Sequence, residues 1–415
     1  METKGKSVLI ISYYFPPNPI VGSRRWAKYG KVLQKLGIDV FVLAAESQSG
    51  TQSSWDDDIK GLKVKYISAS YPAILDHWGK KSVVEKIKYR VADKMVKIKV
   101  TGMPYDRSVF WEKEMITNAS QIIEKHNIKN VIVSTPPHRA SYYTYKLKQK
   151  YSDINFMVDF RDPWTWGSFR EYPHLNDKDR KVEEEMAKLV VDNANTVIVP
   201  VEKMEKAVAE KYPEIKEKIY LLSSAFDKDD FNDVNVKYPK DKSDKIKFIY
   251  FGSLYDNLND HITEIASAFS KNKDKVELHI YSKFETYKEI FEKYGLTDIV
   301  FYHKPLPSNK IFQKVTESNF VFLFKPYEYG KDNVSTKYFE IIYSKTPVFL
   351  IGDNGMASEF IVSNQLGFHA NVNQAEKKLN QLINNEIQLD YNLDFNVDNL
   401  SFQFLGAKFN KEILI

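Results

Sequence analysis

Residues 7–43, SVLIISYYFPPNPIVGSRRWAKYGKVLQKLGIDVFVL, change periodicity twice. Val8–Tyr13 is a short β-branched and apolar run, suited to a strand buried on both faces. A turn rich in proline (Pro16, Pro17, Pro19) then delivers Gly22 and Ser23 to a new pattern. From Arg24 to Leu36 the apolar residues Trp26, Tyr29, Val32, Leu33 and Leu36 recur at helical spacing. Val40–Leu43 reads as a second strand. Strand, helix and strand in succession indicate a parallel sheet covered by helices.

The alternation continues along the chain. Further strands are expected at Lys63–Ile67, Val131–Ser134, Asn155–Asp159 and Thr196–Val199. A second series is expected at Ile219–Ser223, Lys247–Phe251, Val276–Tyr281, Ile299–His303, Phe320–Phe324 and Thr346–Ile351. Helical patterns lie between them at Glu112–His126, Asp177–Asn193, Ile262–Phe269 and Thr336–Ser344. About a dozen strands exceeds one small doubly wound sheet, and no solenoid or propeller repeat is present. The expected fold is therefore α/β, with two Rossmann-like domains facing across a cleft and joined near residue 205. Residues 1–205 form the first, 206–388 the second, and 389–415 a terminal segment that packs a helix back on the body. A closed eight-stranded βα barrel is the alternative, but strand number and spacing fit it poorly. Ligands of open parallel sheets bind beyond the carboxyl ends of the strands, so function is expected in the loops there.

Composition narrows the chemistry. The 415 residues are 43% hydrophobic and 28% charged, as in a globular chain of two or three domains. There is no cysteine, which excludes disulfides, thiolate metal sites, iron–sulfur clusters and a cysteine nucleophile. It also fits a reducing cytoplasm. A net charge of +5 is too small for general nucleic-acid binding, so an anionic partner must meet a local patch. The apolar run at the start passes into Pro16-Pro17 without a small-residue cleavage site and reads as a strand, not a leader peptide. No stretch reaches the roughly 18 apolar residues of a spanning helix.

Four further loops follow strands. His138, in Ser134–Arg139, stands where it would hydrogen-bond a substrate hydroxyl or simply cap a loop. Asp159 and Asp162 flank Arg161, followed by Trp164 and Trp166. Asp159 is either a polar contact in the cleft or part of the loop's structure, Arg161 and Asp162 suit an ion pair, and the indoles suit sugar stacking or packing. Gly252, in Tyr250–Tyr255, permits close backbone approach. In Lys331–Tyr343, Lys337 and Glu340 are three residues apart beside an apolar stripe of Phe339, Ile342 and Tyr343. A cation at a helix start with a carboxylate one turn on suits a nucleotide, phosphates on the former and ribose on the latter. The alternative is an exposed ion-paired helix face. Separately, Lys80–Lys99 holds eight Lys/Arg against Glu85 and Asp93, interleaved with aliphatic residues. It reads as a contact for an anionic membrane surface, or as a helix whose apolar stripe lies in the core.

The order YYFPPNPIVGSRRW (13–26), PYDRSVFWEKE (104–114), STPPHRASYY (134–143), VDFRDPWT (158–165), YFGSLY (250–255) and STKYFEIIYSKTPVFLIG (335–352) resembles family-4-type retaining glycosyltransferases of the GT-B fold. The likeness runs from the first strand to about Gly367 and includes bacterial capsule and O-antigen sugar transferases. It implies an N-terminal acceptor domain, a C-terminal domain for a nucleotide sugar (UDP- or GDP-linked), retention of anomeric configuration and no obligatory metal. By the same resemblance Gly22, Ser23 and Arg24 lie by the donor diphosphate, and His138 near the transferred sugar. Asp159, Arg161 and Trp164 fall on the acceptor side. Glu340 matches the second acid of the Glu-x7-Glu motif and holds the ribose. Asp332 stands at the first acid, one methylene shorter. Ser335 and Thr336 open the nucleotide-binding turn. The family's Gly-Arg-Leu…Lys motif reads Gly252-Ser253-Leu254 here, with no lysine in the next six residues. Lys337 is the expected replacement cation, with Lys304 and Arg24 next. The expected catalytic set is His138, Lys337 and Asp332. The expected setting is surface polysaccharide synthesis at the inner face of the cell membrane, on a glycan or lipid-linked acceptor. A sugar-nucleotide epimerase and a non-catalytic glycan- or partner-binding module are the other readings.

Overall fold

A computed structural model describes residues 5–47, 55–75, 82–166, 174–238, 240, 244–325 and 336–415. The chain divides into two compact units, Met1–Ser224 with Phe402–Ile415, and Ala225–Ser401.

The first unit holds β1 (Ser7–Ser12), β2 (Asp39–Ala45), β3 (Lys63–Ile67), β4 (Asn130–Thr135), β5 (Asn155–Phe160), β6 (Thr196–Val199) and β7 (Ile219–Leu221). All pair in parallel in the order β3-β2-β1-β4-β5-β6-β7. The second unit holds β8 (Ile246–Phe251), β9 (Val276–Tyr281), β10 (Val300–His303), β11 (Phe320–Lys325), β12 (Val348–Gly352) and β13 (Gly367–Ala370). They too are parallel, ordered β10-β9-β8-β11-β12-β13. Each sheet grows outward from its first strand on one side, then resumes on the other. The two reversals, β1 against β4 and β8 against β11, are topological switch points, where loops splay apart and leave a crevice.

Burial explains the strands. Val8–Ser12 of β1 and all of β4 and β5 are buried, as strands covered on both faces must be. The helix Arg24–Lys35 buries Trp26, Tyr29, Val32 and Leu33 as a stripe at helical spacing, and is covered beyond it as well, with Arg25, Ala27, Lys28 and Gly30 also buried. Helix Phe402–Glu412 packs on that stripe: the Phe402 ring lies 4.8 Å from Tyr29 and the Phe409 ring 5.8 Å from Trp26. Gly406 makes the approach possible, since a Cβ there would stand 2.7 Å from Val32 Cγ1. In the second unit the core is aromatic, with Phe248 and Phe322 stacked across β8 and β11 at 4.8 Å.

Two boundaries and one strand differ from the sequence reading. A junction near residue 205 would cut the helix Glu202–Lys211. Ile219–Leu221 pairs with β6 and closes the first sheet instead of opening the second, so the units meet at Ser224 and Ala225. Of the expected terminal segment, residues 389–401 belong to the second unit and only 402–415 to the first. Strand β13 was not expected. Its sequence, GFHA, has no β-branched run, and Gly367 is needed because a Cβ there would collide with the Val348 carbonyl of β12.

Candidate functional site

The second unit gathers charged groups at its switch point. Strand β8 ends at Phe251, and Gly252 turns the chain at φ +111, a region side chains avoid. The Gly252 N–H donates to the Tyr281 carbonyl of β9 at 2.9 Å, so this glycine contributes space and not a free donor. Lys337, on the helix Thr336–Tyr343 that follows β11, fills that space. Its Nζ donates to the Phe251 carbonyl at 2.7 Å and lies 4.9 Å and 5.4 Å from the Phe251 and Tyr250 ring centroids. A Cβ on Gly252 would stand 2.8 Å from Nζ. Burial lowers the Lys337 pKa to about 8, and the nearby Glu340 charge draws it partly back up. Among the described residues the ammonium has no hydrogen-bond partner besides the Phe251 carbonyl and is otherwise faced by the two rings. Lys337 is therefore a cation held against the sheet, at a cost that an anion would relieve. Glu340 sits one turn further along the same helix and is half-buried. This is not the exposed ion-paired face that the spacing also allowed.

Sequence reasoning missed four neighbours. Lys325 is the last residue of β11, with Nζ 5.8 Å from the Tyr338 ring centroid, and burial lowers its pKa. Its position after an apolar run was the available signal. His261, near the start of the helix Asn259–Ser270, is buried edge-on to Phe324 at 6.0 Å, and burial holds it below the usual histidine range. A lone histidine at a helix start carries no sequence signal. Tyr255 and Phe284, on the loops after β8 and β9, are 65% and 66% exposed, flat apolar faces of the kind that stack on a planar ligand.

Other expected donor residues fare differently. Ser253 is exposed, and its carbonyl accepts from the Tyr250 hydroxyl at 2.7 Å. Lys304 follows the edge strand β10, which β9 separates from β8, so the sheet order keeps it from the Lys337 switch point. Asp332 and Ser335 lie outside the described residues, as does the side chain of Thr336.

In the first unit the expected residues do meet at the β1/β4 switch point, but most are occupied. Asp159 is fully buried and takes both its oxygens into a network. It accepts from Arg25 Nη2 at 3.1 Å, Trp26 Nε1 at 2.7 Å and Ser134 Oγ at 2.9 Å. Arg25 also donates to the Leu222 and Ser223 carbonyls at 2.6 Å and 3.1 Å. Asp159 thus ties β4, β5 and the first helix together and does not face an acceptor. His138 is 1% exposed and stacks on Trp164 at 5.2 Å with 5° between planes. Burial, reinforced by the Arg161 charge and partly offset by a hydrogen bond with the Pro163 backbone, lowers its pKa to about 3. The imidazole is neutral and packed, not standing at the mouth of the sheet. Trp164 is also fully buried, with Nε1 donating to Glu183 at 2.8 Å, so its indole offers no sugar platform. Arg24 is bound to Asp58 at 2.5 Å, beside Lys28 at 2.7 Å from the same carboxylate. The Ser23 hydroxyl donates to the Asn18 carbonyl at 2.8 Å and fixes the loop.

Of the expected polar side chains of that crevice, Arg161 keeps a donor that is not yet taken up. Its Nε and Nη2 donate to the Thr135 and Pro136 carbonyls at 3.1 Å and 2.6 Å. Its Nη1 rests against Gly22, where a Cβ would overlap it, which is why that position is glycine. Among the described residues Nη1 has no hydrogen-bond partner. Burial lowers the Arg161 pKa, and the Asp159 and Asp162 charges oppose that shift.

No family model and no curated protein matches the chain. Solved structures do. A glycosyltransferase from Rickettsia africae is 14% identical, with 98% of this chain and 97% of that one covered at a TM-score of 0.60. A lipopolysaccharide outer core galactosyltransferase, WaaB, is 12% identical, with 98% of each chain covered at 0.57. A UDP-N-acetylglucosamine 2-epimerase is 12% identical, covering 99% of this chain and 95% of that one at 0.56. At these identities the likeness carries the fold: two Rossmann-like units of the GT-B type.

Proposed function

We propose that this chain is a retaining glycosyltransferase of the family-4 type that needs no metal. It moves a sugar from a UDP- or GDP-sugar to a glycan or lipid-linked acceptor in surface polysaccharide synthesis, at the inner face of the cell membrane. The observation that carries the proposal is Lys337, a half-buried cation locked between Gly252 and the end of β8 at the switch point of the second unit.

In this reading the second unit holds the donor. Lys337 and Lys325 meet the diphosphate, Glu340 accepts from the ribose hydroxyls, and Tyr255 and Phe284 offer faces to the base. Asp332 and Ser335, outside the described residues, are assigned to the sugar and the phosphate by the family pattern alone. The first unit holds the acceptor, with Arg161 beside Gly22 as its polar contact. As the glycosidic C–O bond breaks, positive charge grows at the anomeric carbon and negative charge on the leaving phosphate. A positioned ammonium stabilises that charge without solvent reorganisation, and losing one such contact costs roughly 10²–10³ in rate. The leaving phosphate accepts the acceptor's proton, so His138, neutral and packed, is not required as a base.

The second reading is a sugar-nucleotide epimerase, which the shared fold of the UDP-N-acetylglucosamine 2-epimerase favours. Product analysis separates the two. Incubation with UDP- and GDP-sugars and an oligosaccharide acceptor should yield a new glycoside and free nucleoside diphosphate. An epimeric nucleotide sugar without glycoside would transfer the assignment to the epimerase, and neither product would remove both.

A further inference from the structure

The helix Val83–Lys99 packs in a way that its sequence left open. It begins with a capping box, Glu85 N–H donating to Ser82 Oγ at 3.3 Å and Ser82 N–H to Glu85 Oε2 at 2.8 Å. It rests on the first unit through Tyr89, Ala92 and Val96, against Tyr71, Leu75 and Phe110. Val96 is its one fully buried residue. The expected apolar stripe is elsewhere. Val83, Val84, Ile87, Val91, Met95 and Ile98 are all exposed, Val83 and Ile98 by 73% and 74%. At about 100° per residue these six share an arc of roughly 120° opposite the packed face.

The charges follow the same geometry. Lys86, Arg90 and Lys97 border one side of the stripe, Lys88 and Lys99 the other, and Lys94 lies within it; all six are exposed. Neither acid faces outward freely. Glu85 closes the cap, and Asp93 accepts from Tyr105 at 2.8 Å and Lys97 at 2.9 Å on the packed side. Lys80 and Lys81 lie outside the described residues.

From this arrangement we infer that the helix Val83–Lys99 lies in the plane of an anionic lipid bilayer, its aliphatic face among the acyl chains and its lysines on the headgroups. An apolar stripe bordered on both sides by cations matches an interface that is apolar inside and anionic at the rim. A second copy fits less well, because pairing two such faces would oppose their basic borders. The inference does not depend on sugar transfer, since nothing at the β8/β11 switch point takes part.

The test is co-sedimentation of the full chain with vesicles of phosphatidylcholine alone or with added phosphatidylglycerol. The protein should pellet with the anionic vesicles and stay in solution with the neutral ones. The double variant Ile87→Ser/Ile98→Ser, at exposed positions that leave the fold intact, should lose binding. Lys88→Gln/Lys94→Gln should weaken it roughly 30-fold, from about fivefold per lost charge near an anionic surface. Donor binding should be unchanged in both variants. No pelleting, equal pelleting with both vesicle types, or indifference to both variants would overturn the inference. So would a dimer in analytical ultracentrifugation that Ile87→Ser/Ile98→Ser disperses, which would assign the face to a second copy.

Discussion

Replacing Lys337 by methionine tests the donor site through its pH dependence. The Lys337 pKa falls from 10.5 to about 8, which is about 3 kcal/mol disfavouring the buried charge. The folded chain thus binds this proton less readily than the unfolded chain. The penalty is complete below about pH 8 and fades as pH rises toward 10.5, so stability rises with pH across that window. Lys337→Met removes the penalty and should leave the unfolding midpoint at pH 7 unchanged or higher. A bound diphosphate reverses the balance, because it holds the ammonium charged. Affinity for a nucleoside-diphosphate sugar should therefore be flat below about pH 8, then fall by up to tenfold per pH unit above it. Lys337→Met should bind about 10–100-fold more weakly at pH 7, the loss of a charge-assisted contact, and should show no break near pH 8. Isothermal titration calorimetry in buffers of different ionisation enthalpy reads both the affinity and the proton uptake. A break near pH 8 that persists in the variant, or none in the wild type, would refute the assignment of this cation to the donor.

Three further outcomes follow from the geometry. Gly252→Ala forces a side chain to φ +111 and a Cβ to 2.8 Å from Lys337 Nζ, so thermal denaturation should show a loss of about 1–2 kcal/mol and calorimetry weaker donor binding. Asp159→Ala leaves Arg25 buried without its carboxylate; urea unfolding should show a loss of about 3–5 kcal/mol, far above a surface ion pair, and an acceptor contact alone would leave stability untouched. His138 refuses a proton that the unfolded chain accepts below pH 6.5. Its contribution should be intact above pH 6.5 and decline toward its folded pKa of about 3, and NMR should find its imidazole neutral at pH 5.

Much of the fold was legible because buried parallel strands need short continuous apolar runs, and twelve of them stand out in the sequence. The thirteenth, Gly367–Ala370, was hidden because a close backbone approach demanded glycine where β-branched residues give the signal. The domain boundary was misread because Ile219–Leu221 looks the same at the end of one sheet as at the start of another; only its pairing with β6 decides. The site was half legible. Lys337 and Glu340 could be picked out by their spacing, but the lock between Lys337 and Gly252 joins residues 85 apart in no local pattern. Asp159, His138 and Trp164 looked functional because polar and aromatic residues cluster after strands. Burial turned all three toward the interior, which a linear pattern does not record.

The most direct measurement is a crystal structure of the protein with a bound nucleoside-diphosphate sugar. The account predicts a diphosphate oxygen about 3 Å from Lys337 Nζ and the ribose hydroxyls at the same distance from Glu340. A diphosphate bound by the first unit, with Lys337 still on the Phe251 carbonyl and its remaining hydrogens turned to water, would contradict it.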